Sequence, residues 1–307
     1  MSDKTFKILA VDGGGIRGVF PTHILQCLSS RLGIDVNNYF DMIAGTSTGS
    51  IIASAIACNI PPEKIIKLYK EKGTKIFVDK KLLLPKFIKP AFISLYENNG
   101  LIESLKEEFG DIKLGDIKIP LLLPSTDIGN GSVHVFKSGY SNEFTRDQKD
   151  FLYEAVAASC SAPIYFDPLK VNEYLLADGG IWANNPSLAA VIDAKKRLNV
   201  DFDDIKIFSL GTGHSKIAYG VSEDKYWGFL TGLKNKEFIS FILSLQSQST
   251  NNYLQLMLNK EQILRIDFES DKPLPLDDLT QIDNLMSRAD REFTHRTVEI
   301  KRFFEIN

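Results

Sequence analysis

Cysteine is scarce. The 307 residues hold three, Cys27, Cys58 and Cys160, an odd number with no CxxC pair. That pattern argues against a disulfide framework and a cysteine-based zinc site, and points to a reducing compartment. Histidine is almost as rare, with four residues: His23, His134, His214 and His295. An excess of positive charge is also missing. Lys plus Arg total 36 against 39 Asp plus Glu, a net charge of −3, and the isoelectric point is about 5.9. A dedicated DNA- or RNA-binding domain would be strongly basic, so no nucleic-acid partner is expected. No apolar run reaches the ~18 residues that a membrane-spanning helix needs. The opening MSDKTFKILAVDGGG has no signal-peptide core. The expected location is therefore the cytoplasm, with at most transient membrane contact.

What remains is ordinary globular composition, 44% hydrophobic and 24% charged, without repeats or low-complexity tracts. The pattern alternates between strands and helices. Phe6 to Val11 reads as a buried strand, and Phe20, Ile24, Cys27, Leu28 and Leu32 fall at helical spacing with Gly33 as the stop. Phe40 to Ala44 reads as a second strand, and Ser50 to Cys58 as a buried helix. Further strands are expected at 119–126, 133–137, 174–177, 205–210 and 263–268. Gly129-Asn130-Gly131 forms a hairpin turn. The C-terminal third reads mostly as helix. The expectation is one α/β domain over residues 1–307 with a helical C-terminal cover. Residues 78–96 stand apart, with Lys80, Lys81, Lys86 and Lys89 among apolar residues and Pro85 and Pro90 breaking any helix. Leu82, Leu83, Leu84, Phe87, Ile88 and Phe92 would make the apolar part of a membrane-facing lid with a cationic rim. The competing reading packs them on the core.

Two glycine motifs sit at strand–helix turns. Asp12-Gly13-Gly14-Gly15-Ile16-Arg17-Gly18 contains G-x-G-x-x-G, which a dinucleotide site also uses. That site wants an acidic residue ending the next strand. Asp35 and Asp41 are at about the right distance, but Asp41 precedes its strand. The other use of such a turn is an oxyanion hole. Adjacent glycines let backbone N–H groups converge without Cβ obstruction, next to a helix N-terminus. Arg17 would then neutralise a phosphate or fix the loop. The second motif, Gly45-Thr46-Ser47-Thr48-Gly49, matches G-x-S-x-G, in which a tight turn lifts the serine out of the fold.

A serine nucleophile needs a base. His214, in a loop after a strand, is the only histidine that suits a triad. Asp178 is the stronger candidate. It ends a strand, is followed by Gly179 and Gly180, and a partly desolvated carboxyl can act as a base directly.

DGGGIRG, GTSTG and DGG in this order closely resemble patatin-like phospholipases. The likeness extends to WANNP at 182–186, to FSLGTG at 208–213 and to the C-terminal region. It implies a patatin-like three-layer α/β/α fold with a mostly parallel central sheet. It also implies a Ser–Asp dyad that needs neither metal nor cofactor. Ser47 is then the nucleophile and Asp178 the proton acceptor. Gly13, Gly14 and Gly15 supply oxyanion-hole amides, with Arg17 in the same motif. The implied reaction is hydrolysis of acyl esters in phospholipids or lysophospholipids, with a membrane surface as substrate. Some bacterial relatives of this kind are anti-phage effectors switched on by a cyclic nucleotide, which makes a cyclic dinucleotide the candidate activator. The alternative is a non-catalytic nucleotide- or lipid-binding module on the same fold.

Overall fold

The structure, a computed structural model, describes residues 5–81, 93–216 and 235–306. Its strands are β1 (Phe6–Val11), β2 (Met42–Gly45), β3 (Leu121–Asp127), β4 (Ser132–Lys137), β5 (Leu169–Val171), β6 (Tyr174–Asp178), β7 (Ile205–Leu210), β8 (His214–Ser215), β9 (Ile263–Ile266) and β10 (Glu269–Ser270). The main sheet runs β5-β6-β3-β2-β1-β7-β9, with β4 paired to β3; β8 and β10 form a separate pair. From β3 across to β9 the neighbours are parallel, while β4, β5 and β6 are antiparallel to their neighbours. The sheet is thus mostly parallel, as expected.

The helices are α1 (Val19–Leu32), α2 (Val36–Tyr39), α3 (Thr48–Ala57), α4 (Pro62–Ile76), α5 (Asn98–Phe109), α6 (Leu152–Ser159), α7 (Gly180–Ala183), α8 (Ser187–Arg197), α9 (Asn235–Met257), α10 (Ile282–His295) and α11 (Thr297–Phe303). They cover both faces. Strand β1 shows why: Leu9 and Val11 pack with residues of α1, α3 and α10, while Ile8 and Ala10 pack with α8 and α9. A strand buried on both sides must be apolar throughout, and the run Ile8 to Val11 is. The C-terminal helices divide between the faces, α9 on one and α10 and α11 on the other.

The second strand begins at Met42, two residues later than expected, and Phe40 ahead of it stacks on Phe208 at 6.4 Å between ring centroids. Of the 78–96 segment, residues 82–92 lie outside the described residues. Its two ends are joined antiparallel at Asp79 and Tyr96, and Leu95 and Tyr96 are buried. Lys80 is not a free rim cation. Its ammonium bonds the Ser94 hydroxyl at 2.7 Å and the Asp167 carboxylate. Among the described residues no helix is long and apolar enough to cross a membrane.

Candidate active site

Strand β2 ends at Gly45, and the chain doubles back into α3. A Cβ on Gly45 would stand 2.0 Å from the Gly49 carbonyl oxygen, and one on Gly49 2.2 Å from the Val11 carbonyl oxygen. Only glycine fits at either flank. Ser47 sits at the apex with φ 53° and ψ −126°. Such a backbone is costly for a residue with a Cβ and persists only when its surroundings hold it. Here they do: the Ser47 N–H donates to Ser159 Oγ at 3.0 Å, and Ser159 Oγ donates to the Pro124 carbonyl at 2.6 Å. The Ser47 carbonyl takes the Ser50 hydroxyl at 2.6 Å.

Asp178 reaches this point by an unexpected route. It ends β6, but β6 runs antiparallel to β3 and pairs Asp178 with Ser125. Strand β3 overshoots β2, whose Ala44 pairs with Leu122. A strand running inward along that overhang therefore delivers its last residue beside Ser47. Ser47 and Asp178 line the same cavity, and the Ser47 hydroxyl stands near enough to the Asp178 carboxyl to favour its ionised form. The Gly180 N–H donates to Asp178 Oδ1 at 2.6 Å. Gly179 lies against β3, where a Cβ would come 2.2 Å from the Pro124 carbonyl oxygen. Asp178 is only 4% exposed. Burial raises its carboxyl to about 7, opposed only by the Ser47 hydroxyl and the Gly180 N–H. A buried carboxyl without a counter-cation titrates in this direction.

The glycine loop after β1 needs one correction. Gly13 offers no free amide, because its N–H donates to the Asn184 carbonyl at 3.0 Å. The N–H groups of Gly14 and Gly15 donate to nothing among the described residues, and both glycines line the cavity that holds Ser47 and Asp178. Gly15 has φ +58°, a region glycine enters without strain. Arg17 fixes this arrangement. It is 5% exposed, and its Nε donates to the Gly14 carbonyl at 3.1 Å and its Nη1 to the Gly213 carbonyl at 3.0 Å. A trans peptide points its C=O and N–H in opposite directions. Holding the Gly14 carbonyl on the Arg17 side thus aims the Gly15 N–H away from it. Of the two roles considered for Arg17, fixing the loop is the one seen. Burial lowers its guanidinium to about 10.

Three supports were not read from the sequence. Arg265 grips Asp12 and Asp267, each at 2.7 Å, and Asp267 in turn accepts the Gly213 N–H at 2.9 Å. Thr212 Oγ1 donates to the Gly13 carbonyl at 2.7 Å. The Leu276 carbonyl accepts the Ile16 N–H at 2.8 Å. Thr212 and Asn184 fall inside the FSLGTG and WANNP stretches that carry the family resemblance. Arg265 and Asp267 carry no local motif.

The cavity has a volume of about 160 Å³. Beyond the polar residues its wall is apolar, formed by Ile51, Ile76, Phe77, Leu101, Phe166 and Leu276 among others. Ile181 and Ile242, also in the lining, are 44% and 36% exposed and form an apolar rim. No histidine lines it. His214 faces a different cavity, with Nδ1 3.9 Å from Asp267 and Nε2 3.6 Å from Glu269. His134 is buried against Phe136 and Tyr174, and His295 is exposed on α10. Asp41 is no ribose ligand: it sits before β2, at the opposite edge of the sheet, where it accepts the Lys7 N–H at 2.9 Å. Among the described residues, His23, Cys27 and Asp290 approach one another at metal-ligand distances. The Arg31 guanidinium already bonds the same Asp290 oxygen, and burial pushes the Cys27 thiol up to about 11. Both features work against a cation there.

Comparison with known proteins agrees with the fold and the motifs. The family model for patatin-like phospholipase matches residues 9–191. A cGAMP-activated phospholipase of Pseudomonas aeruginosa is 28% identical over 258 residues, 83% of this chain and 76% of that one. A cGAMP-activated phospholipase of Vibrio cholerae is 30% identical over 67% of this chain and 64% of its own. A cUMP-AMP-activated phospholipase of Escherichia coli is 25% identical over 98% of this chain and 95% of its own. The chain belongs to the patatin-like phospholipase family. By that membership it is a lipid acyl hydrolase.

Proposed function

We propose that Ser47 and Asp178 form the catalytic dyad of a phospholipid or lysophospholipid acyl hydrolase that works at a membrane surface and is switched on by a cyclic nucleotide. The observation that carries this reading is the meeting of Ser47, at the apex of its strained turn, with the buried carboxyl of Asp178 in one apolar cavity, with no cation beside that carboxyl. Asp178 accepts the hydroxyl proton as Ser47 attacks the ester carbonyl. The oxyanion develops against the free N–H groups of Gly14 and Gly15, donors held in place before the reaction. The tetrahedral intermediate collapses to an acyl-serine, and the protonated Asp178 returns its proton to the leaving lyso-lipid oxygen. Water then attacks the acyl-serine as Asp178 takes its proton, and Asp178 passes that proton to the Ser47 oxygen as the fatty acid departs. The apolar wall takes the acyl chain. The rim at Ile181 and Ile242 suits a bilayer surface better than bulk water. Three relatives bearing cyclic-nucleotide-activated names support the activation.

The test is fatty-acid release from phospholipid vesicles, followed from pH 5 to 9. Asp178 works as a base only when ionised, and its carboxyl sits at about 7. Below that pH, kcat/KM is expected to fall about tenfold per unit. A profile flat down to pH 5 would show that some other group takes the proton.

A further inference from the structure

A second cavity, of about 180 Å³, lies on the Arg17 side of the glycine loop. Its lining is much richer in polar and charged side chains than that of the first. Arg17 is 5% exposed and makes no ion pair among the described residues. Two of its nitrogens bond the Gly14 and Gly213 carbonyls, and its remaining terminal nitrogen bonds nothing described. The nearby carboxylates of Asp12 and Asp267 are both held by Arg265. A buried guanidinium without a contacting anion is costly. Facing it are hydrogen-bonding side chains of α9, among them Ser240, Ser244 and Gln248. Their spacing of four residues puts them on one stripe of the helix. A guanidinium opposite hydroxyl and amide donors matches a phosphate group.

The same helix serves the hydrolytic cavity. Ile239, Ile242 and Leu243 of α9 line the space around Ser47, and Leu243 and Asn184 line both cavities. Asn184 joins them chemically. Its carbonyl holds the Gly13 N–H at 3.0 Å, and its Nδ2 donates to Ser247 Oγ of α9 at 3.0 Å. Its Oδ1 is buried without a partner.

We propose that this polar cavity is the activator site, taking a phosphodiester group of a nucleotide against Arg17 and the α9 stripe. Movement of α9 then changes the apolar wall around Ser47, and Asn184 carries it to the glycine loop. This rests on the nucleotide-activated reading above and adds where the nucleotide sits.

Calorimetry on the full chain carrying Ser47→Ala, which leaves lipid turnover out of the measurement, tests it with cGAMP, cUMP-AMP and glycerophosphate. One of the cyclic dinucleotides is expected to bind. Ser244→Glu, and separately Gln248→Glu at the exposed mouth, each weaken it by at least about tenfold, or 1.4 kcal/mol. Gln248→Glu keeps the melting temperature. Absence of binding by either dinucleotide overturns the proposal, as does binding that neither glutamate weakens. Glycerophosphate binding as tightly as the dinucleotides also overturns it, because the cavity would then be a lipid head-group site. Vesicle hydrolysis by the Ser47 form separates the two readings. Hydrolysis without nucleotide binding removes the activation reading together with this site, binding that neither glutamate weakens removes the site alone, and binding without Ser47-dependent hydrolysis removes only the dyad.

Discussion

Ser47→Ala is expected to lower ester hydrolysis by at least ~10⁴-fold, Asp178→Asn by a similar factor, and the double variant by no more than either single one. The reasoning is chemical. Without the hydroxyl there is no acyl-serine, and without the carboxylate the hydroxyl proton has no acceptor in a cavity that no histidine lines. Two groups that act as one unit cannot be removed twice. The stability readout has the opposite sign. The Asp178 carboxyl moves from 3.8 to about 7 on folding, so ionising it opposes the folded state by roughly 4 kcal/mol. That penalty is small at pH 4 and grows as pH rises to about 7, where it becomes nearly complete. Asp178→Asn is therefore expected to melt higher than the parent chain at pH 8 and to lose most of this advantage at pH 4. An Asp178→Asn variant that keeps more than a tenth of the activity would remove Asp178 from the mechanism.

Gly14→Ala is the second large effect. The added methyl would stand 2.2 Å from Thr212 Oγ1 and 2.6 Å from Thr212 Cβ. Thr212 cannot swing aside without releasing the Gly13 carbonyl, so the loop itself must shift, and with it the amides of Gly14 and Gly15. Loss of one oxyanion donor costs roughly 2.7–4 kcal/mol, or 10²–10³ in kcat. That loss is expected with little change in KM, because the donors meet charge that exists only in the transition state. Pairing Gly14→Ala with Thr212→Gly relieves the collision and is expected to restore part of kcat. Normal kcat for Gly14→Ala alone would place the oxyanion elsewhere.

How much of this could be read from residues depends on how local each constraint is. The elbow around Ser47 and the glycine loop are tight turns in which backbone closeness dictates glycine, so both stood out as short motifs. The apolar runs of β1 and β7 are central parallel strands buried on both faces, and their limits matched. The direction of β6 was hidden, because a strand's residues do not encode whether its neighbour runs with or against it. The loss of Gly13 as a donor was hidden too. It depends on the Asn184 carbonyl, far along the chain, and nothing near residue 13 announces it. Arg265 and Asp267 lie in the 263–268 run with no motif around them. Their grip on Asp12 and Gly213 exists only once β9 lies next to β7.

The glycine loop is seated by residues made late. Arg17 rests on Gly213, Asp12 on Arg265 and Ile16 on Leu276, while α9 closes part of the wall around Ser47. During synthesis, the serine and aspartate emerge well before any of these supports. A nascent chain that has reached residue 200 holds both halves of the proposed dyad but lacks the seat for its anion-binding loop. On the proposed mechanism, hydrolysis is expected only once the chain has been translated past Leu276. For the membrane-directed hydrolysis proposed above, the order of translation is itself a safeguard.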